Sequence, residues 1–371
     1  MAGLYVHIPF CASRCVYCGF YSTVHTDLRQ RYVDAVCREM ELRPATDAIG
    51  AIETVYLGGG TPSQLSVAQL EQLFYYINKV YRPACLREVT MECNPDDVTD
   101  EFATGLRLLP VDRISMGAQT FSDRRLRFLH RRHTASQVGQ AVERLRTAGI
   151  GNISIDLMYG FPDETLQDWE CDINAALAVG AEHLSAYCLT YEAGTPLYQQ
   201  LQRGAIHELD EETERAMYEM LIHRLTSAGY EHYEISNFAR PGRRSLHNSS
   251  YWNDVPYIGL GAAAHSYLLT SRSWNIADIQ QYIESIERGV LPSESESIDA
   301  TTHYNDRIVT ALRTCDGLDL NTLTAEQRTY CLSQSQRFVA DGLLRIDGSR
   351  LLLTRRGLFV SDMVMSELLQ V

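Results

Sequence analysis

The spacing of apolar residues switches repeatedly between two periods along the first two thirds of the chain. Short β-rich runs recur: LYVHI (4–8), TVYLGGG (54–60), EVTMEC (88–93), RISMGAQ (113–119), NISIDL (152–157) and HLSAYCL (183–189). Helical patterns separate them. VAQLEQLFYYINKVY sets Val67, Leu70, Leu73, Phe74, Ile77 and Tyr81 on one helical face, and Val138, Ala141, Val142, Leu145 and Ala148 form a second such stripe. Gly149 follows the second stripe where a C-cap is expected. The junction from helix end through glycine into strand recurs in TAGIGNISI, AVGAEHLSA and SAGYEHYEI. Six strands alternating with helices predict an α/β fold built on parallel strands. Periodicity alone does not separate a β/α barrel from a doubly wound sheet. Polar or glycine residues close most of the strands (Gly58 to Thr61, Glu92, Gln119, Asp156), and strand C-terminal ends are where a barrel assembles its site.

The pattern changes after about residue 235. ISNFARPGRRSLHNSSYWND is polar, aromatic and rich in turn formers, and YIGLGAAAHSY follows it. From about 275 the chain reads as helical again. It ends in a helix, a strand, a turn at Asp347-Gly348, another strand and a last helix, the order of a winged-helix-like module. The expected division is a barrel over 1–235, a connecting segment over 236–275 and a smaller α+β domain over 276–371.

Composition narrows the function classes. The net charge of −14 argues against nucleic acid or an anionic membrane surface as the main partner, since phosphates would be repelled. No apolar run approaches the roughly 18 residues of a membrane span. The N-terminus, MAGLYVHIPFC, lacks the basic start of an export signal. Ten cysteines in such a chain suggest a reducing, cytoplasmic setting, where clustered cysteines more often bind metal than form disulfides. Seven of them (Cys37, Cys85, Cys93, Cys171, Cys188, Cys315, Cys331) are scattered and read as buried small hydrophobes.

The other three, Cys11, Cys15 and Cys18, are spaced C-x3-C-x2-C directly after the first strand. Zinc sites commonly use two well-separated C-x2-C pairs, and no second pair exists here. Iron–sulfur clusters are also held by thiolates. With Tyr17 before the last cysteine, the motif resembles that of the radical S-adenosylmethionine superfamily. The resemblance implies a partial (β/α)6 barrel and a 4Fe-4S cluster on three thiolates. It further implies that S-adenosylmethionine chelates the remaining iron and is cleaved reductively to a 5′-deoxyadenosyl radical. GGGTPS (58–63), between a strand and a helix, is similar to the family's segment for the cofactor's amino group; glycine permits close backbone approach there.

A closer likeness, to the branch containing oxygen-independent coproporphyrinogen III oxidases and heme chaperones, spans nearly the whole chain. It rests on YVHIPFC, YLGGGTPS, ECNPD, RISMGAQTF, NISIDLMYGFP, YEISNFA and HNSSYW. It implies cofactor contacts by Tyr5, Tyr17, Gly59, Gly60, Thr61, Glu92, Gln119, Arg131 and Asp156. Glu92 suits an ammonium and Asp156 a ribose hydroxyl. Arg131 lies in RRLRFLHRRH, a basic run that reads as a solvated helix face or, at a barrel rim, as an attractor of carboxylates. HNxxYW resembles a heme-binding signature of the chaperones and implies His247 as a heme ligand, exposed in a turn with Tyr251 and Trp252 beside it; His265 is a second candidate. The oxidases carry a further cysteine where Phe20 stands and a longer N-terminal segment. The likeness therefore implies a heme carrier serving hemoproteins such as respiratory cytochromes, with a homodimer possible, and porphyrinogen decarboxylation as the alternative.

Overall fold

The computed structural model describes residues 2–43 and 49–370. All six expected strands form: β1 (Ala2–Ile8), β2 (Ile52–Gly59), β3 (Glu88–Cys93), β4 (Arg113–Gln119), β5 (Asn152–Tyr159) and β6 (His183–Cys188). They pair in chain order, each parallel to the next. Because right-handed crossovers that always advance in one direction stack their helices on one face, this order gives a barrel-type sheet; a doubly wound sheet needs a reversal.

The strand alternation then acquires a direction. Leu4, Val55, Val89, Ile114 and Ile153 occupy one face and are buried against the helices. Tyr5, Tyr56, Thr90, Arg113 and Asn152 form the neighbouring cross-strand row on the concave face. Glu92, Ser115, Ser154 and His183 form another. The lumen is polar, which is why these strands alternate; parallel strands apolar on both faces would read as continuous hydrophobic runs. The helix Val67–Tyr81 buries Leu70, Leu73, Phe74, Ile77 and Tyr81, and a Ser66/Gln69 capping box fixes its start. The helix Ala135–Thr147 buries Val138, Ala141, Val142 and Leu145, and Gly149 takes φ +99° just beyond it.

The segment 236–275 does not simply connect. β7 (Glu231–Glu234) and β8 (Asn237–Ala239) add an antiparallel hairpin to β6. On the other side β9 (Tyr257–Leu260) pairs parallel with β1, and β10 (His265–Tyr267), β11 (Ser271–Asn275) and β12 (Ser293–Ser297) follow as an antiparallel meander. The described residues thus form a twelve-stranded sheet with β12 and β7 at its edges. Its buried core continues to Ile286, and a second core begins at Tyr304, so the expected break at 275 falls inside the first unit. Buried Glu39 causes this continuity. From the helix Arg29–Leu42 it accepts hydrogen bonds from the Gly261 N–H (2.7 Å), Asn275 (2.7 Å), Tyr282 (2.6 Å) and Arg43 (3.0 Å).

The C-terminal module has β13 (Leu318–Asp319), the helix Ala325–Ala340, β14 (Leu344–Asp347), β15 (Arg350–Leu353) and two short helices. Its expected element order holds, but Asp347 pairs with Arg350, so the turn residues are Gly348 and Ser349. Of the scattered cysteines, Cys37, Cys93 and Cys331 are buried and Cys188 is half-buried. Cys85, Cys171 and Cys315 are exposed, against expectation: Cys171 lies on the solvent side of its helix, and the other two lie between elements. No helix among the described residues is long and apolar enough to cross a membrane.

Close approach of β9 and β10 makes one glycine critical. A Cβ at Gly259 would stand 1.9 Å from the His265 carbonyl oxygen, a backbone atom that cannot swing aside. Gly259→Ala is expected to lower stability by about 2 kcal/mol in urea unfolding, within the range of overpacked core sites; unchanged unfolding would show that the strands separate freely.

Candidate functional site

The cysteine loop leaves β1 at the C-terminal mouth of the sheet and is held there by backbone and apolar contacts. Thr23 donates to the Pro9 carbonyl (2.7 Å), and Cys11 donates to that of Thr23 (2.9 Å). Val16, 2% exposed, packs in a small satellite core with Leu129, Met158, Phe161, Leu189 and Leu197, and Tyr17 lies against that core. The thiols face a polar mouth. Cys11 Sγ lies 3.6 Å from Thr61 Oγ1, and Arg131 Nη1 donates to Cys15 Sγ at 3.5 Å. Burial pushes the Cys11 and Cys18 thiols up, and the neighbouring Cys15 adds to both.

This donor set fits a cluster. Three sulfurs share one loop, with a guanidinium beside them to offset thiolate charge. Among the described residues no three His, Cys, Asp or Glu side chains are gathered around a single point where one ion would sit. The thiolates of a cluster each bind a separate iron and need no such convergence.

Next to the thiols, Glu92 ends β3 inside the mouth. It accepts from Tyr56 Oη (2.8 Å) and the Gly59 N–H (3.0 Å), while burial, with the Asp156 charge behind it, pushes its carboxyl up to about 7. Asp156, also raised by burial, accepts from Ser115 at 3.3 Å. Arg113 is 1% exposed on the concave face and pulls both carboxyls down, and its Nε and Nη1 have no hydrogen-bond partner among the described residues. The glycines serve packing as well as approach: a Cβ at Gly58 would meet the Glu92 carboxylate at 2.7 Å, and one at Gly60 the Pro9 backbone at 2.6 Å.

Gln119 takes φ +67° at a bulge where β4 shifts register against β5. A left-handed conformation in a non-glycine residue is a form of stored strain that collects at functional sites. Gln119 leans over Gly117, whose absent Cβ would stand 2.7 Å from Gln119 Nε2. Arg131 donates to Asn94 Oδ1 and to the Gly117 carbonyl, both at 2.6 Å. The structure thus gathers Glu92, Gln119, Arg131, Asp156, Gly59, Gly60 and Thr61 with the three cysteines around one mouth; Tyr5 faces the lumen and bonds His7 (3.0 Å).

The basic run is not one solvated face. Arg124 and Arg127 are exposed, Arg125 is buried against Glu164 (3.4 Å) and Asp168 (2.9 Å), and Arg132 pairs with Asp96 and Asp97. Sequence reasoning passed over Asn94, Tyr56 and Arg113. Asn94 lies inside ECNPD, and the other two occupy the polar phase of their strands, a signal that only a known concave face makes readable.

The exposed, turn-like setting expected of His247 is corrected. The HNSSYW segment is a helix, Leu246–Trp252, lying under the N-terminal ends of β1 to β3, and His247 is 0% exposed. Thr54 Oγ1 bonds its Nδ1 (2.9 Å) and Tyr251 Oη its Nε2 (2.8 Å), so both ring nitrogens are engaged. The ring stacks on Tyr56 at 5.1 Å, and burial lowers its pKa to about 3, so it is neutral. Glu88, at the start of β3, draws the helix in by accepting from the Leu246 and His247 N–H groups (2.8 and 2.9 Å). Tyr251 is packed into this plug, and Trp252 is half-buried beneath the Arg313 guanidinium (5.2 Å). His265, by contrast, is exposed on β10.

Residues 5–175 match the radical SAM superfamily, and residues 298–360 match the HemN C-terminal domain. The heme chaperone HemW of Bacillus subtilis is 37% identical over 86% of this chain and 85% of its own length. That of Mycobacterium tuberculosis is 34% identical over 99% and 94%. The mitochondrial radical S-adenosyl methionine domain-containing protein 1 of Mus musculus is 35% identical over 71% of this chain and 60% of its own. Among solved structures, the radical SAM enzyme coproporphyrinogen III oxidase (HemN) of Escherichia coli superposes with a TM-score of 0.83 at 21% identity, covering 99% of this chain and 89% of that one, a likeness of fold.

Proposed function

The chain belongs to the radical SAM superfamily and, within it, to the heme chaperone HemW family, and from that premise we propose that it binds heme and delivers it to hemoproteins, respiratory cytochromes among them, while carrying a 4Fe-4S cluster and S-adenosylmethionine. The observation that carries this reading is the loop from Cys11 to Phe20. Three thiols stand at the mouth, and the position where the porphyrin-oxidising relatives resemble one another in a further cysteine holds a phenyl ring that is 73% exposed. Cys11, Cys15 and Cys18 would hold the cluster, and Arg131 would offset its charge from beside Cys15. When bound, the cluster and the sulfonium cofactor supply one-electron reductive chemistry. Glu92 would take the cofactor's amino group and Asp156 a ribose hydroxyl, Gly59, Gly60 and Thr61 would line the approach from β2, and Tyr5, Tyr17 and Gln119 would complete the enclosure. His247, the heme ligand that the resemblance implies, is buried with both ring nitrogens engaged, so serving an iron would require its release from Thr54 or Tyr251.

The anaerobically reconstituted protein is expected to give a Soret band with heme and to form no protoporphyrinogen from coproporphyrinogen III, S-adenosylmethionine and reductant. Efficient turnover would replace the carrier with the oxidase, the alternative activity.

Cofactor affinity carries a pH signature. The N–H donors of the cofactor's amino group are best met by ionised Glu92, a form complete above the raised pKa of about 7 and lost as pH falls through it. Affinity for S-adenosylmethionine should therefore fall about tenfold between pH 8 and pH 6 by single-site titration. Tyr56→Phe keeps the ring and removes a donor to the ionised form, so it should move the midpoint upward. A flat profile in isothermal titration would remove Glu92 from this role.

A further inference from the structure

We propose that Arg113, on the floor of the lumen, is a positioning residue for the sulfonium cofactor: its charge holds Glu92 and Asp156 as carboxylates for the amino group and the ribose. This rests on the cofactor-binding reading above and adds a residue to that site. Alternate positions of β4 put Arg113, Ser115 and Gly117 on the concave face. Register sets Ser115 beside Glu92 and Gly117 beside Asp156, so Arg113 lies one pleat below the row that holds Glu92. Its side chain is 1% exposed, and its Nε and Nη1 find no hydrogen-bond partner among the described residues. A cation taken out of water without such partners is costly, so nearby charge must offset it.

The groups around the guanidinium narrow what that charge is. His183 on β6 and His247 in the helix beneath are kept neutral by burial and then by Arg113 itself. Burial also raises the phenols of Tyr56 and Tyr233, which stay protonated. Two further carboxylates are committed to backbone: Glu88 accepts from the Leu246 and His247 N–H groups, and Asp112 from that of Val89. Glu92 and Asp156 remain. The other groups facing that pair, the phenols of Tyr5, Tyr187 and Tyr251 and the Cys93 thiol, are raised by burial and carry no charge. Arg131 reaches Asp156 from the mouth, but its Nη2 is bonded to Asn94 and the Gly117 carbonyl. Two carboxylates in one enclosed site repel, and one of them would otherwise keep its proton. Burial pushes both carboxyls up and Asp156 adds to the rise at Glu92, whereas Arg113 pulls both down. The guanidinium therefore decides how much of the pair is ionised when the cofactor arrives.

The test is S-adenosylmethionine binding to the anaerobically reconstituted full chain, by isothermal titration across pH, with circular dichroism to confirm folding. Arg113→Met and Arg113→Gln both remove the charge. Each should bind about tenfold more weakly than the wild type near pH 7, matching a tenfold smaller ionised fraction. The gap should close by about pH 9.5, where the carboxyls ionise without help; a packing role would leave it open. Arg113→Lys keeps the charge and should recover most of the loss. Equal loss at every pH, no loss, or a lysine variant no tighter than the methionine one overturns the positioning role and leaves the cofactor reading standing. Wild-type protein that binds no S-adenosylmethionine overturns both.

Discussion

Alanine at any one of Cys11, Cys15 or Cys18 is expected to reduce iron and labile sulfide, after anaerobic reconstitution, from about four of each per chain to a small residue. The broad visible absorption of the cluster should go with them. Each sulfur has its own setting, Cys11 beside Thr61 and Cys15 beside Arg131, so none substitutes for another. The fold should survive, because the loop is anchored by Val16 and by the backbone bonds around Thr23 rather than by the thiols. Far-ultraviolet circular dichroism of the variants should match the wild type. Arg131→Met removes the charge beside Cys15 and its bonds to Asn94 and Gly117, and should lower retention of the cluster without abolishing its assembly. A triple alanine variant that still took up four irons with sulfide would show that the cluster lies elsewhere.

Glu39→Leu is expected to cost about 3–5 kcal/mol in urea unfolding, the loss that follows when one partner is removed from a buried charged network. Leucine would leave the Gly261 N–H, Asn275, Tyr282 and Arg43 facing a hydrocarbon side chain. The damage should be local in its consequences. Three of these donors, Gly261, Asn275 and Tyr282, sit on the chain around β9 to β11 and on the helix Ile279–Glu287, so the part that loosens is the sheet extension and not the cysteine loop. Cluster content should stay near wild type, since the cysteine loop is anchored by Val16 and its own backbone bonds. A change below 1 kcal/mol would mean that water enters and satisfies the four donors.

The sheet extension also marks where residue pattern stops being sufficient. The core strands declared themselves because each must alternate, apolar toward the helices and polar toward the lumen, and because glycines close the helices before β5 and β6. β8 and β10 are three residues long, too short for alternation to separate a strand from a turn. The pairing of β8 with β6 and of β9 with β1 joins segments far apart in sequence, as do the hydrogen bonds that Glu39 accepts.

The mouth was similarly divided. The cysteine spacing and the residues ending β2 to β5 were readable because chemistry and strand position coincide in a barrel. The positive φ of Gln119 was not readable, nor was the anchoring of the cysteine loop by Val16. For the histidines, the HNxxYW resemblance pointed to His247 in a turn, whereas Glu88 captures the start of that segment as a helix and seals its ring beneath the barrel.

By itself the sequence determined the β/α order, the thiol set and the polar strand ends, because each is a local property of residue type and spacing. Only the tertiary structure decided which polar groups share the lumen, how far the sheet extends and which histidine is open to solvent. Those depend on cross-strand register and burial, free energies that residues distant in sequence generate only when brought together.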